Sequence, residues 1–397
     1  MAETHNYKST ANACYMGLIT QAAVNNLAPL LFLILQDEYA ITLGQITFVT
    51  TFNFLVQLFT DAASAAIVRR LGARVCTVGA NVLCMLGLIG LSVFPEISPD
   101  PYAGLVAAVF LYAVGSGLLE ILMSPIVENI PSDDKAAAMS LLHSFYCWGV
   151  VAVVILSTGY LYIAGKGMWH LLPVIWAILP AVTALRFTKV PLVSITGESG
   201  GLTYAQLFKK KHIWLLAVMM IAAGASELSM SQWASAFAEN ALNVSKTVGD
   251  LAGPCMFALL MGVSRAYMGK QKDMDIPKAL VIAGLCCTVS YLVTALSPVP
   301  IISLAGCGLT GLFVGIMWPA MLSIAFDDMP GAGPVLPSAM AVFGNMGSTS
   351  GPAVVGAAAD AAGGDLRIGL LAASLMPLIL CLSSLIFIKQ RKKTVKQ

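Results

Sequence analysis

Three ionisable side chains lie inside long apolar stretches of this sequence: Glu120, His143 and Glu227. A charge at the centre of a membrane helix costs about 2.5–3.5 kcal/mol on insertion scales, so such groups persist where they are used or paired. A carboxyl withdrawn from water can take up and release a proton near neutral pH, and an imidazole ionises in the same range. We therefore predict Glu120 and His143 as proton-coupling groups. For each, the alternative is a neutral hydrogen bond between helices.

Glu227 shares one helical face with hydroxyl groups. Ser231 follows it by one turn, and Trp233 lies beyond that turn. A carboxylate beside hydroxyls can bind the hydroxyls of a sugar, and an indole can stack on the apolar face of the ring. We predict that these three residues bind substrate. A gate or a packing contact is the alternative for Glu227.

Uncharged polar residues form stripes on other apolar segments. Gln21 and Asn25 are four residues apart, as are Asn53, Gln57 and Asp61. Such stripes face a bundle interior or a water-filled cavity, because lipid cannot satisfy them. The candidate cavity-lining residues are Asn25, Asn26, Asn53, Gln57, Trp318 and Asn345. Asp61 lies nearer the end of its segment, and we expect it to form a gate with Arg69 and Arg70.

The elements that must position these residues are long apolar helices. A segment of about 20 apolar residues spans the hydrocarbon core of a bilayer. The composition is 58% hydrophobic and 11% charged, against about 25% charged in a soluble domain. We predict an all-α integral membrane protein with twelve transmembrane helices. The predicted spans are 14–36, 45–68, 75–95, 102–127, 136–162, 169–188, 213–238, 248–268, 277–296, 300–325, 337–360 and 367–388.

Lys and Arg residues concentrate in alternate loops, which predicts the orientation of the chain. The loops on the side of the N-terminus hold Arg69, Arg70, Arg74, Lys189, Lys209–Lys211, Arg265, Lys270, Lys272 and Lys278, and the C-terminal tail adds five more. The opposite loops hold only Lys166, Lys246 and Arg367. We therefore predict a multi-pass protein of the cell (inner) membrane with both termini in the cytoplasm.

A polar stretch in mid-chain divides the sequence. It is rich in glycine and hydroxyl residues and ends in a basic run at 209–211. We predict an N-terminal six-helix bundle at 1–188, a cytoplasmic linker at 189–212 and a C-terminal six-helix bundle at 213–397.

The two halves contain a repeat. Residues 117–125 align without gaps over residues 311–319, and the same alignment places Asp133 and Asp134 over Asp327 and Asp328. Repeats that run in the same direction, six helices apart, imply two bundles related by an axis along the membrane normal, with substrate near the midplane between them. A chance match of short apolar strings is the alternative.

Several of these features together resemble the major facilitator superfamily. They are the six plus six spans, the long central loop and the Arg-Arg-Leu-Gly-Ala-Arg loop at 69–74. This loop is a degenerate form of the Gly-x-x-x-Asp-Arg-x-Gly-Arg-Arg signature of that superfamily, and its second-half counterpart is reduced to Arg265 and Gly269. The resemblance implies a transporter with the major facilitator fold.

Within the superfamily the chain resembles the fucose permease branch of sugar/proton symporters. That branch has Gly-x-Gly-x-x-Glu-x-x-x-Asn-Pro where this sequence has residues 115–125, with Ser124 in place of the Asn. Asn25 and Asn26 match a further motif of the branch. Its members carry an Asp shortly after that pair which is implicated in proton coupling, and the corresponding residue here is Pro29. The resemblance implies that Glu120 works without this partner or with a different one.

Motifs for other chemistry are absent from the sequence. There is no phosphate-binding loop, hydrolase motif or metal-ligand spacing, and a net charge of +2 gives no indication of nucleic-acid binding. We predict no enzymatic activity and no cofactor or metal. The expected partners are a small-molecule substrate, protons and the lipid bilayer, and we expect a monomer.

These observations predict a secondary active transporter of a small polar solute, with a sugar as the expected substrate and proton symport by alternating access as the mechanism. Two alternatives stay open. One is proton-linked efflux of amphipathic compounds, because Met219, Met220 and Met230 could line a greasy cavity. The other is a transport-inactive sensor or scaffold on the same fold, because the Asp of the first span is missing.

Overall fold

The computed structural model describes residues 7–131, 135–192, 202–270, 274–329 and 335–394. The chain divides into two compact units, Met1–Thr196 and Gly197–Gln397. The described residues of the first unit form six long helices, with a short 3₁₀ turn at Lys166–Met168 before the last. The six helices are α1 (Lys8–Tyr39), α2 (Leu43–Leu71), α3 (Ala73–Ile97), α4 (Pro101–Asn129), α5 (Lys135–Ala164) and α6 (Leu171–Lys189).

The second unit begins with a short helix and continues with longer, often interrupted ones. A π-helical segment at Leu251–Cys255 joins α9 to α10. The helices are α7 (Tyr204–Phe208), α8 (Lys211–Asn240), α9 (Lys246–Asp250), α10 (Met256–Lys270), α11 (Ile276–Leu296), α12 (Pro300–Val314), α13 (Met317–Asp328), α14 (Val335–Ala361), α15 (Leu366–Ala373) and α16 (Leu375–Thr394).

The all-α membrane fold predicted from the sequence is confirmed, and no strand occurs among the described residues. In this part of the chain eleven helices are long and apolar enough to cross a membrane, one fewer than predicted. The predicted span at 337–360 does form a helix, α14, but it is not among the eleven. Its Gly, Ser, Thr and Asn residues lower its hydropathy and instead permit close packing. A Cβ at Gly351 would lie 2.7 Å from the carbonyl oxygen of Ala225 in α8.

Prolines explain why three predicted spans of the second unit are interrupted. A proline has no N–H and its ring crowds the carbonyl four residues earlier. The π segment begins three residues before Pro254. The break between α12 and α13 precedes Pro319, and the break between α15 and α16 precedes Pro377, each by four residues or fewer. In the first unit, Pro29 and Pro125 lie inside continuous helices.

Glycines bring the helices of the first unit into close contact. A Cβ at Gly87 would lie 2.6 Å from the backbone nitrogen of Tyr112, so α3 and α4 pack almost backbone to backbone. Gly72 has a φ of 82°, a value that favours glycine, and it is the single residue between the end of α2 and the start of α3. The Asp133–Asp134 pair of the sequence repeat lies outside the described residues.

Candidate functional site

Four polar side chains from three helices form a hydrogen-bonded cluster inside the first unit, which we call the amide cluster: Asn25, Asn53, Gln57 and Ser116. Asn25 Oδ1 accepts from Gln57 Nε2 at 3.0 Å and from Asn53 Nδ2 at 3.3 Å. Ser116 Oγ donates to Gln57 Oε1 at 3.0 Å, and Gln57 Nε2 also contacts Asn53 Oδ1 at 3.0 Å. All four residues are buried. The cluster thus joins α1, α2 and α4.

Glu120 lies one turn along α4 from Ser116, next to the amide cluster. Its Oε2 accepts a hydrogen bond from Gln21 Nε2 at 3.1 Å, and Gln21 lies one turn from Asn25 on α1. Glu120 is half-buried and Gln21 is buried. The carboxyl is therefore directed into the first unit, where an amide donor meets it. A buried polar group without a hydrogen-bond partner costs about 1–3 kcal/mol of stability. Such a buried network is therefore stable only when its members form hydrogen bonds with one another.

Gly117 permits the approach of α4 to α2 that builds the amide cluster. A Cβ at this position would lie 3.1 Å from the backbone oxygen of Gln57 and 3.1 Å from Asp61 Oδ1. Asp61 is buried at this contact, whereas Arg69 and Arg70, near the end of α2, are exposed. The structure therefore places Asp61 against α4, about two turns from the two arginines with which we expected it to form a gate.

Two further predicted residues of the first unit are Asn26 in α1 and His143 in α5. Asn26 is buried, and its Nδ2 donates to the backbone oxygen of Ala22 in the same helix at 2.9 Å. His143 is exposed near the start of α5, in a region where Phe145 stacks on Tyr15 of α1 with ring centroids 4.4 Å apart.

Arg74 has a structural role that the sequence analysis did not anticipate. Its guanidinium donates to the backbone oxygens of Phe187 at 2.7 Å, Thr188 at 2.9 Å and Val190 at 2.9 Å. These carbonyls belong to the end of α6, where the last carbonyl groups of a helix have no N–H partner within the helix. A cation at this end also opposes the helix dipole. Arg74 therefore ties the start of α3 to the end of α6.

The second unit contains a partly buried ion pair between α8 and α10. Arg265 Nη2 lies 3.1 Å from Glu227 Oε2 and 3.2 Å from Oε1. Arg265 Nε also donates to the backbone oxygen of Gly315 at 3.3 Å. The side chains are 18% and 11% exposed for Arg265 and Glu227. A guanidinium is suited to this arrangement, because it presents several donors in one plane.

The position of Arg265 corrects one inference from the sequence. We counted it among the loop residues that indicate orientation, but it lies inside α10 and its charge is matched by Glu227. The signal was present, since the predicted span 248–268 includes this arginine. The remaining Lys and Arg residues still favour the same orientation.

The other residues predicted beside Glu227 have different surroundings. Trp233 is fully buried, and its Nε1 donates to the backbone oxygen of Pro352 at 3.0 Å. Because the ring is fully buried, it has no exposed face on which a ligand could stack. Ser231 is half-buried.

Two predicted residues of the second unit lie at or near the contact of α13 with α14. Trp318 is half-buried, and its ring lies directly against Gly344, where a Cβ would overlap it. Asn345, the next residue, is buried. Among the described residues no three or more His, Cys, Asp or Glu side chains form a group that could hold a metal ion.

Comparisons with known proteins agree with this architecture. The family model described as Major Facilitator Superfamily matches residues 13–352. A crystal structure of a variant of the E. coli fucose:proton symporter FucP is similar with a TM-score of 0.67 and 15% identity, over 96% of this chain and 99% of that one. A crystal structure of the transporter FucP in the outward conformation gives a TM-score of 0.66 and 16% identity, over 95% and 98%. At this identity the likeness concerns the fold alone. No curated protein sequence matches the chain significantly.

Proposed function

Because the chain belongs to the major facilitator superfamily, whose members are transporters, we propose that it carries a small polar solute across the membrane together with protons. A sugar or a related polyhydroxylated compound is the proposed substrate, and Glu120 is the proposed proton carrier. The observation that carries this proposal is the hydrogen bond between Gln21 and Glu120 beside the amide cluster.

The chemistry of the amide cluster supports a polyhydroxylated substrate. Carboxamides and hydroxyls each offer both donors and acceptors, as the hydroxyls of a sugar do. Asn25, Gln57 and Ser116 satisfy one another in this structure. The hydroxyls of a bound substrate could replace these hydrogen bonds one for one, so that every buried polar group would still have a partner. Such exchange keeps the cost of desolvation low while retaining selectivity for polar ligands.

The bond between Gln21 and Glu120 supports proton coupling, because protonation changes which groups Glu120 offers to it. An ionised carboxylate can only accept a hydrogen bond, as it does from the N–H of Gln21. A protonated carboxyl group can also donate through its O–H, and the carboxamide oxygen of Gln21 can accept that bond when the amide turns. Gln21 precedes Asn25 by one turn of α1. Proton uptake would therefore make a second orientation available to an amide next to the amide cluster. This arrangement gives Glu120 an uncharged partner in place of the acid that Pro29 replaces. His143 remains a second candidate for proton transfer.

The test of this proposal is a Glu120→Gln variant reconstituted in proteoliposomes and assayed with a panel of radiolabelled sugars. We expect it to lose proton-driven accumulation but to keep exchange of substrate across a membrane without a proton gradient. Glu128→Gln is the matched control, because Glu128 is an exposed carboxyl at the end of the same helix, and it should accumulate substrate like the parent. Undiminished accumulation by Glu120→Gln would exclude this carboxyl as the carrier.

Two alternatives make different predictions. Efflux of amphipathic compounds would require a cavity with an apolar lining. Met219, Met220 and Met230 are fully buried within the second unit, so they line no open cavity in this structure. A transport-inactive sensor would bind ligand in detergent, seen as a thermal shift, without uptake into proteoliposomes. Shifts with cationic amphipathic compounds alone would favour the exporter.

The proposed arrangement in the cell follows the sequence prediction. We propose two six-helix bundles at 1–188 and 213–397 joined by a cytoplasmic linker at 189–212, with both termini in the cytoplasm and the protein acting as a monomer. Reporter fusions at the end of α16 and in the loop after α3 would test the orientation, because they should report opposite sides of the membrane.

A further inference from the structure

A second buried ion pair lies in the second unit, where α9 packs on α8. Lys246 Nζ lies 3.1 Å from Asp250 Oδ2, and Ser235 Oγ of α8 donates to Asp250 Oδ1. Lys246 Nζ also lies 3.4 Å from Ser235 Oγ. The side chains of Lys246 and Asp250 are 9% and 2% exposed. We assigned Lys246 to a loop, yet its ammonium is buried against α8 at the start of α9.

Small residues on both helices bring α9 and the π segment into close contact with α8. A Cβ at Gly249 would lie 2.9 Å from Ala238 Cβ, and one at Gly253 would lie 3.3 Å from the backbone oxygen of Ala234. The two glycines are one turn apart, as are the two alanines. The segment from Lys246 to Gly253 therefore packs along the last turns of α8.

Beyond the π segment the close glycine contacts of the chain are with a different helix, α12. A Cβ at Gly308 of α12 would lie 2.8 Å from Met256 Cγ. A Cβ at Gly311 would overlap the backbone oxygen of Phe257. The change of neighbour coincides with the π turn and Pro254. Single π turns often mark functional positions, and helices bend where the regular ladder of hydrogen bonds is interrupted.

We propose that α9, the π segment and α10 form a two-part element that bends at residues 251–255, and that the Lys246–Asp250–Ser235 cluster is a latch that fastens its first part to α8. The first part packs on α8 and the second packs closely on α12, with the Arg265–Glu227 ion pair as a further link from α10 to α8. The backbone between the two parts lacks a regular α-helical ladder. Release of the latch frees the first part while α10 stays packed on α12. The device provides a local movement within one unit, independent of the carboxyl proposed to carry protons.

Amide hydrogen exchange of the purified full-length protein in lipid nanodiscs tests this proposal, with an Asp250→Asn variant. Removing one partner of a buried pair leaves the other charge uncompensated, so exchange in 246–255 should accelerate on the order of a hundredfold. Peptides within 257–268 should keep the parent rate. Asp275→Asn is the matched control, because Asp275 and Lys278 form an exposed pair, and it should leave 246–255 unchanged.

A Lys246→Met/Asp250→Asn double variant removes both charges and should regain most of the protection. Acceleration that extends equally through 257–268 would overturn the two-part element, and unchanged exchange in 246–255 would overturn the latch. A double variant as unprotected as the single one would show that packing, not the ion pair, fastens the segment. If the variants do not fold, the parent protein decides: equal opening rates for 246–250 and 257–268 would refute the proposal, and faster opening of 246–250 would support it.

Discussion

Replacing Arg265 with methionine should destabilise the second unit strongly. The variant keeps a long side chain but leaves Glu227 without the guanidinium that now contacts both of its oxygens. Breaking a buried ion pair by removing one partner costs about 3–5 kcal/mol. Because the two side chains are 18% and 11% exposed, we expect about 3 kcal/mol.

This loss should be visible as a lower thermal midpoint. For a unit of this size, 3 kcal/mol corresponds to a decrease of about 6–12 °C. The assay is the fraction of monodisperse protein that remains after heating, measured by fluorescence-detected size-exclusion chromatography. A Glu227→Leu/Arg265→Met double variant should recover most of the midpoint, because no uncompensated charge remains.

The control for this experiment is another ion pair of the same unit. Lys278 Nζ lies 2.7 Å from Asp275 Oδ2, closer than the two groups of the buried pair, but the side chains are 68% and 50% exposed. Exposed pairs contribute little, so Lys278→Met should leave the midpoint almost unchanged. Equal decreases for Lys278→Met and Arg265→Met would refute the reasoning that burial, not distance, decides the effect.

Three further predictions concern packing, a helix end and pH. Gly117→Ala should lower the thermal midpoint because its Cβ meets three atoms of α2 at 3.1 Å, while Gly159→Ala, with nothing within 4 Å, should raise it slightly. Arg74→Met should release the end of α6, seen as faster hydrogen exchange in 184–190 and no change in 102–127. The pKa of Asp275 lies below its ordinary value because Lys278 donates to it. The stabilisation that the Asp275 carboxylate gives to the start of α11 is therefore complete above the ordinary carboxyl pKa. It is lost as the pH falls through the lowered pKa of Asp275 in the folded protein. Asp275→Asn should remove that acid dependence from the exchange of residues 276–280.

The sequence predicted the structure best where a pattern of polar and apolar residues extends along a whole helix. Asn53 and Gln57 recur one turn apart in an apolar stretch, so their placement on one face followed from helix geometry alone. That they would meet Asn25 of α1 and Ser116 of α4 could not be derived, because it depends on how closely these two helices approach α2. For α4, the absence of a side chain at Gly117 permits the close approach.

Other positions depended on partners that no local pattern indicates. Glu227 looked like a ligand-binding carboxylate, but its partner is an arginine 38 residues away. Trp233 was predicted to face a ligand, and its indole instead finds a carbonyl of α14. In both cases the packing of distant helices determines which polar group the side chain meets in this structure.

The break between α12 and α13 links Arg265 to Pro319, a proline 54 residues later in the sequence. Pro319 has no N–H to give to the carbonyl of Gly315, and that oxygen is the acceptor for Arg265 Nε. The guanidinium thus replaces a missing backbone donor while it neutralises Glu227. A lysine, with one compact ammonium, is poorly suited to serve both acceptors. We therefore expect proteins of this type that lack the proline to tolerate loss of the arginine more readily, since a regular residue at 319 would satisfy Gly315 within its own helix.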